Sequence, residues 1–376
     1  MAFQIAWRIL VDQKGRTALA TGGIFVAILL VFIELGFFVA VPQGGMLIYD
    51  HMRFDLLLCS NRYRFQGQAG QFPRVRLATA TTIPEVAQAS PIYLGGGKWQ
   101  DANGGLKVDV SVLGLDPHAA SFAVPDIESQ SALLDRPDTV LVDGASRSLF
   151  GPIQSGRQID IAGKRMTIGA PYKLGTGFLG LGVAIASEAN FFRIFPERSP
   201  DQVNLGLVTL KPGADPDRVA QAIRAILPGD TQVFTRPELV AHEVAYWTTR
   251  TATGLIFGSG LIVAFVVGIM VLYQTLATQI TRQLPQFATL KAIGYSDRYL
   301  NGIVLAEALL MTAVAFVPAL GAALAVYALV RSETLLPLAL TTPQFATVFA
   351  LTLMMAAASA FLSLSALRRA DPAEIF

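Results

Sequence analysis

Four long apolar runs dictate what this chain can become. Between Ala18 and Val41 only Thr21 and Glu34 are polar, and further runs extend from Gly254 to Leu276, from Gly302 to Leu329 and from Phe345 to Leu364. Each reaches the ~20 residues that cross a bilayer as a helix. A bilayer offers no water to a bare peptide group, so each run must satisfy its own backbone as a helix. Hydrophobic residues make up 53% of the 376-residue chain and charged residues 15%, with a mean hydropathy of +0.50, which excludes an ordinary soluble globule. The first run follows Arg8, Lys14 and Arg16, as the core of a signal peptide would. It exceeds the roughly 7–15 apolar residues of such a core and ends without a small-residue cleavage site, so it is read as a retained membrane helix.

Basic residues in short loops are held on the cytoplasmic side. Arg8, Lys14, Arg16, Arg282, Lys291, Arg298, Arg368 and Arg369 fall on one side, against Arg331 on the other. The expected order is a cytoplasmic segment over 1–17, a span over 18–41, an outside domain over 42–250, and a span over 251–279. A cytoplasmic helix over 280–298, a span over 299–330, a short outside loop over 331–343, a span over 344–366 and a cytoplasmic tail over 367–376 complete it.

The inserted domain reads as α+β. Val108–Leu113, Asp138–Val142 and Gln158–Ile161 have the alternation or β-branched content of strands, and Arg165–Ile168 after Gly163-Lys164 predicts a hairpin. Asp215, Pro216 and a stripe of Val219, Ile223, Ile226 and Leu227 predict a capped helix. The stretch from Pro237 to Arg250 has few breakers and is expected to run straight into the second span. The fold class is therefore an α+β membrane protein: four transmembrane helices with a large α+β domain between the first and second.

Between the second and third spans lies a polar island, Thr281 to Tyr295. Pro285 suits a first helical position and Gly294 the left-handed residue past a helix end. Phe287, Leu290 and Ile293 share one face, while Gln286, Thr289 and Lys291 are polar. Such a helix either offers a partner an apolar side to grip or is a capped loop that turns the chain round.

Other chemistry is sparse. The 29 basic and 27 acidic residues are interleaved, leaving no basic block for nucleic acid. Gly95-Gly96-Gly97-Lys98 lacks the earlier glycine and the Ser or Thr of a phosphate-binding loop and reads as a turn. His51, His118 and His242 have no metal-ligand spacing, and Gly144–Ser148 misses the nucleophile-elbow pattern. No catalytic residue, cofactor or metal is expected. The lone Cys59 has no internal partner and is read as an inert buried thiol. Glu34 and Glu307 are the ionisable residues inside the spans; Glu307 is near enough to a span end to reach the interface, whereas Glu34 is either functional or simply paired or protonated. Gly254 and Gly258 form a small-residue pair suited to close helix packing, including a dimer contact.

This layout resembles the permeases of the MacB, FtsX and lipoprotein-releasing (Lol) group of ABC systems. Phe287-Ala288-Thr289-Leu290-Lys291-Ala292-Ile293-Gly294-Tyr295 is similar to the family's coupling segment, followed by Glu307-Ala308 and the terminal Ala370-Asp371-Pro372-Ala373-Glu374. Leu284–Lys291 and the start Ala6-Trp7-Arg8-Ile9-Leu10 resemble the DevC type in particular. Gln286 stands where a carboxylate is common, and Glu34 where an uncharged polar residue is expected. The resemblance implies a multi-pass inner-membrane permease, with a periplasmic domain and both termini cytoplasmic. It also implies a homodimer that binds two copies of a cytoplasmic ABC ATPase through Pro285, Phe287, Leu290, Lys291, Ile293 and Gly294. A periplasmic membrane-fusion adaptor, a TolC-like outer-membrane channel and export of a glycolipid or other amphiphile follow from the same likeness. The competing readings are an FtsX-like regulator of a periplasmic hydrolase and an ATP-independent carrier or scaffold.

Overall fold

In the computed structural model, which describes residues 14–102, 104–119, 121–146, 148–175, 180–334 and 336–369, the chain divides into two units. One comprises the first helix as far as Val41 and everything from Thr251 onward; the other is Pro42–Arg250. The N-terminal motif Ala6–Leu10 and the tail motif Ala370–Glu374 lie outside the described residues, as do the side chains of Lys14, Arg16, Arg368 and Arg369.

In chain order the elements begin with α1 (Lys14–Asp50), β1 (Leu56–Ser60), β2 (Phe72–Pro73), α2 (Val75–Ala80), β3 (Val86–Asp101) and β4 (Val108–Leu115). There follow α3 (Pro125–Gln130), β5 (Thr139–Asp143), β6 (Gln158–Ile161), β7 (Lys164–Tyr172), β8 (Val183–Ser187), α4 (Glu188–Ile194), β9 (Gln202–Val203) and β10 (Leu205–Leu210). The chain continues with α5 (Pro216–Ile226), β11 (Thr231–Thr235), α6 (Arg236–Thr249), α7 (Ala252–Ala292), α8 (Asp297–Thr334) and α9 (Thr342–Arg369).

Helices α1, α7, α8 and α9 are long and apolar enough to cross a membrane. Their shared core joins Ile24, Ile28 and Phe32 of α1 to Leu272 and Leu276 of α7, Met311 and Phe316 of α8, and Met355 of α9. Small residues let the helices approach. The Tyr327 hydroxyl donates to the Phe32 carbonyl across Gly36, where a Cβ would overlap the phenol ring. Ser359 on α9 donates to the Ile269 carbonyl of α7 at 2.9 Å, and Ser363 reaches the Tyr273 carbonyl at 3.4 Å, the kind of interhelical polar contact that lipid cannot replace.

Pro42–Arg250 is built on one sheet in the order β11-β1-β10-β3-β4-β8-β5-β7-β6, with β6 pairing back onto β3. The last six strands therefore close a ring, and β3 belongs both to the ring and to the open part of the sheet. Its first half, through Ile92, pairs with β10; its second half, from Tyr93, pairs with β4. The hairpin β6–β7 turns at Ala162 (φ 50°) and Gly163 (φ 78°), two left-handed residues as a type I′ turn requires. Asp215 caps α5, accepting from the Asp217 N–H at 3.0 Å, and Val219 and Ile223 of its stripe are buried.

Three local expectations are corrected. Gly95–Lys98 is no turn but the middle of β3; Gly95 is small because the Phe195 ring lies 2.5 Å from where its Cβ would stand, and a Cβ on Gly97 would come within 3.2 Å of the Ala162 methyl. α6 does not continue into the second span. It ends at Thr249, and Thr251, extended at φ −112° and ψ 150°, caps a new helix by accepting from the Gly254 N–H at 3.1 Å. The polar island is no separate helix either: α7 runs through Pro285 to Ala292.

Asn190 at the start of α4 holds the turn before β5. Its Nδ2 donates to the carbonyls of Arg136 (2.9 Å), Thr139 (3.0 Å) and Leu134 (3.3 Å), and its Oδ1 accepts from the N–H of Asp138, a residue at φ 53°. Removing the amide leaves several buried backbone groups unpaired. Asn190→Ala is expected to destabilise this domain by about 3 kcal/mol, read from the denaturant midpoint of the purified protein; a loss under about 0.5 kcal/mol would mean that water replaces the amide.

Candidate functional site: a capped helix end and a buried carboxylate

The helical unit has one end where sequence and geometry converge. α7 stops in a Schellman motif: the Gly294 N–H bonds to the Lys291 carbonyl at 3.0 Å, and the Tyr295 N–H reaches back to the Leu290 carbonyl at 3.1 Å. Gly294, at φ 102°, supplies the left-handed residue that this cap needs. Pro285 sits inside the helix rather than at its start, so the Thr281 carbonyl lacks its usual helical donor.

The expected apolar face is divided between two environments. Phe287 is buried in the helical core and Leu290 packs partly against it, whereas Ile293 is 71% exposed. Pro285, Gln286, Ala288, Thr289, Lys291 and Gly294 are exposed as well. Tyr295, also exposed, stacks on Tyr299 at the start of α8, with ring centroids 4.8 Å apart. The end thus presents one large aliphatic side chain, a short ring stack and a lysine on a rigid turn.

The intramembrane carboxylates lie elsewhere in the same unit. Glu307, expected near enough to a span end to reach the interface, is fully buried, and its carboxylate's one hydrogen bond among the described residues comes from the Gln283 amide of α7 at 3.4 Å. Glu34 is half-buried, its Oε2 has no hydrogen-bond partner among the described residues, and its carboxylate occupies the space a side chain at Gly260 would need. Gly254 is buried, and Gly258 faces the Phe38 ring of α1, which would stand 3.3 Å from a Cβ there. That glycine serves packing within the chain.

In the sheet domain the notable polar group is one that sequence reading passed over. Glu243 of α6 is fully buried; it accepts from the Tyr63 hydroxyl, and from the Trp247 indole N–H at 3.1 Å. Tyr63 in turn is 2.8 Å from the hydroxyl of Tyr49. Burial pushes the Glu243 carboxyl up to about 7, against the opposing pull of the Tyr63 and Trp247 donors. The other titratable groups facing it are Tyr49, Tyr63 and Cys59, and no cation pairs with it among the described residues. Burial and the Glu243 charge also push the Cys59 thiol up, so it stays protonated and unreactive. A carboxylate four residues after Leu239, on the buried stripe of an otherwise polar-faced helix, was the available signal.

The remaining candidates are structural. His51 contacts the Leu47 carbonyl (2.8 Å), His118 pairs with Asp135 (3.3 Å) and His242 contacts the Arg64 carbonyl (3.1 Å). Among the described residues no cluster of His, Cys, Asp and Glu could hold a metal. Asp143, beside Ser146, accepts the N–H groups of Ala145 and Gly175 and serves its own turn.

Four apolar helices, with a sheet-rich domain carried between the first and second, define a membrane permease component. The chain belongs to the MacB/FtsX permease family: residues 17–226 match the MacB-like periplasmic core domain, and residues 258–372 match the FtsX-like permease C-terminal region. It is thus a subunit of an ABC-type system, a multi-pass inner-membrane protein of a family whose partner is an ABC ATPase. Among solved structures it is similar to the periplasmic region of MacB from Actinobacillus actinomycetemcomitans, at 9% identity over 49% of this chain and 90% of that one, with a TM-score of 0.37. It is also similar to the extracellular domain of the noncanonical ABC-type transporter YknZ from Gram-positive bacteria, at 9% identity over 48% and 99%, with a TM-score of 0.34. No curated protein matches the chain.

A carboxyl raised in the folded state binds a proton there that the unfolded chain has already released. Its contribution is complete below about pH 4.5 and is lost as pH climbs through about 7. Stability of the sheet domain is therefore expected to fall by on the order of 3 kcal/mol between pH 5 and pH 8 from this group. Glu243→Gln should flatten that slope in melts of the purified protein; an unchanged slope would assign the pH dependence to other groups.

Proposed function

We propose that this chain is the permease of a DevC-type exporter. In this reading the exposed end of α7 docks on a cytoplasmic ABC ATPase, and closure of two ATPases drives movement of the membrane helices. The Pro42–Arg250 domain lies in the periplasm, where that movement reaches a membrane-fusion adaptor and a TolC-like channel. The cargo is a glycolipid or another amphiphile, and the chain itself carries out no catalysis. Two permeases pair in the membrane, and α7, the least buried of the four spans, carries Leu255, Ile262 and Met270 on an apolar surface open to lipid or to a second copy. The observation that carries the ATPase assignment is the rigidly capped turn bearing Ile293 beside Lys291.

The decisive variant is Ile293→Asp. Leu290 leans on the helical core, so changing it would confound folding with docking, whereas Ile293 touches solvent. A carboxylate at the centre of a small apolar contact is expected to weaken ATPase co-purification by about 2 kcal/mol at normal membrane levels, while Lys291→Ala costs roughly 0–1 kcal/mol. Full retention of the ATPase by Ile293→Asp would remove this turn from the interface. An adaptor in the same pull-down supports export; a periplasmic hydrolase in its place supports the FtsX-like regulator.

Sidedness has its own measurement. Cysteines placed by Gln100→Cys in β3 and Gln286→Cys at the exposed helix end should react with an impermeant thiol reagent from opposite faces of the membrane, the native Cys59 being buried. Labelling from one face would overturn the orientation.

A further inference from the structure

The strand β3 has a gap along one edge. β10 leaves it after the Leu205–Ile92 pair and β6 joins it only at the Ile161–Trp99 pair. Asn204 fills the first position, accepting from the Leu94 N–H at 2.8 Å while donating to the Gly70 carbonyl at 2.7 Å. The Lys98 carbonyl, at the far end, accepts from the Ala162 N–H at 2.9 Å. Alternate residues of a strand turn their backbone groups to opposite edges. Gly96, between Leu94 and Lys98, therefore offers both its N–H and its C=O to the gap. Its partner across β4 agrees, since the Ser111 N–H is directed away, to the Gly182 carbonyl at 3.0 Å.

The gap opens into a cavity of about 430 Å³ walled by Gln66, Gln68, Gln71, Arg198 and Asn204. A Cβ on Gly96 would meet nothing within 4 Å among the described residues, which leave the space above it empty. Arg198 has no ion-pair partner among the described residues; Arg62, Arg64 and Arg136 lack one too, but they are exposed, whereas Arg198 is half-buried on the cavity wall. Gln66 is 4% exposed and its Nε2 has no hydrogen-bond partner among them either. A buried unsatisfied donor in a native fold calls for a missing partner.

A donor and an acceptor side by side on a strand edge, without a partner among the described residues, match one peptide unit, and a guanidinium likewise without an ion pair among them matches a carboxylate. We propose that this cleft binds an extended peptide with a free carboxyl end, its backbone pairing with Gly96 and its carboxylate with Arg198. The inference stands on the cleft alone and does not depend on the export reading.

The test uses the purified full chain in detergent and three probes followed by ligand-observed NMR: trialanine, its C-terminal amide, and glucuronate. Trialanine is expected to bind saturably. The amide should bind at least tenfold more weakly, and Arg198→Ala should reproduce that loss. Glucuronate, which offers the carboxylate without a peptide unit, should bind no better than the amide. Gly96→Val should abolish binding with an unchanged melting temperature, because its side chain enters empty space from an ordinary strand position. Equal binding by glucuronate, binding insensitive to Gly96→Val, or no saturable binding of trialanine would each overturn the proposal.

Discussion

Hydrocarbon cannot satisfy a peptide group, and the architecture follows from that one exclusion. It obliges the four apolar segments to be helices and confines the strands to a stretch long enough to close its own hydrogen bonds away from lipid. The sheet meets the same demand by joining its last six strands in a ring, with β6 returning to β3, which leaves few strand edges to cover. Polar groups within the helical unit obey it too. Ser359 spends its hydroxyl on the backbone of α7, Ser363 donates to the Ser359 carbonyl of its own helix at 2.8 Å, and Gln283 turns its amide toward Glu307.

Much of this was legible in the chain because the signals are strong and local. Run length alone identified the spans, β-branched alternation located β4, β5 and β6, and Asp215-Pro216 marked the start of α5. Illegible features were those in which a distant contact overrides a local preference. Gly95-Gly96-Gly97 has the composition of a turn, yet the Phe195 ring selects glycine in the middle of a strand. Pro285 looks like a helix start, but α7 already has its turns in place and tolerates one missing N–H. Glu307 looked close enough to water to escape burial, and only the fold reveals Gln283 beside it.

The Glu243 cluster shows what local reading misses for a different reason. A single carboxylate in a helix of mixed polarity carries no pattern, and its meaning arises only when Tyr63 and Trp247 converge on it. Once buried it cannot be neutral in effect: without its donors it would be an unpaired polar group in a dry core, and with them it fixes α6 against the segment after β1. Tyr49, near the end of α1, extends the same chain of hydroxyls, so the residues by which the chain enters this domain and those by which it leaves are joined through one hydrogen-bonded set.

The two connections between the units differ in backbone continuity. α1 is helical without interruption from Lys14 to Asp50, passing Pro42. The return path is broken at Arg250 and Thr251, where an extended residue separates two helices. An intact helix transmits axial displacement because every turn is braced by its own hydrogen bonds, whereas a two-residue break absorbs rotation in a few backbone angles.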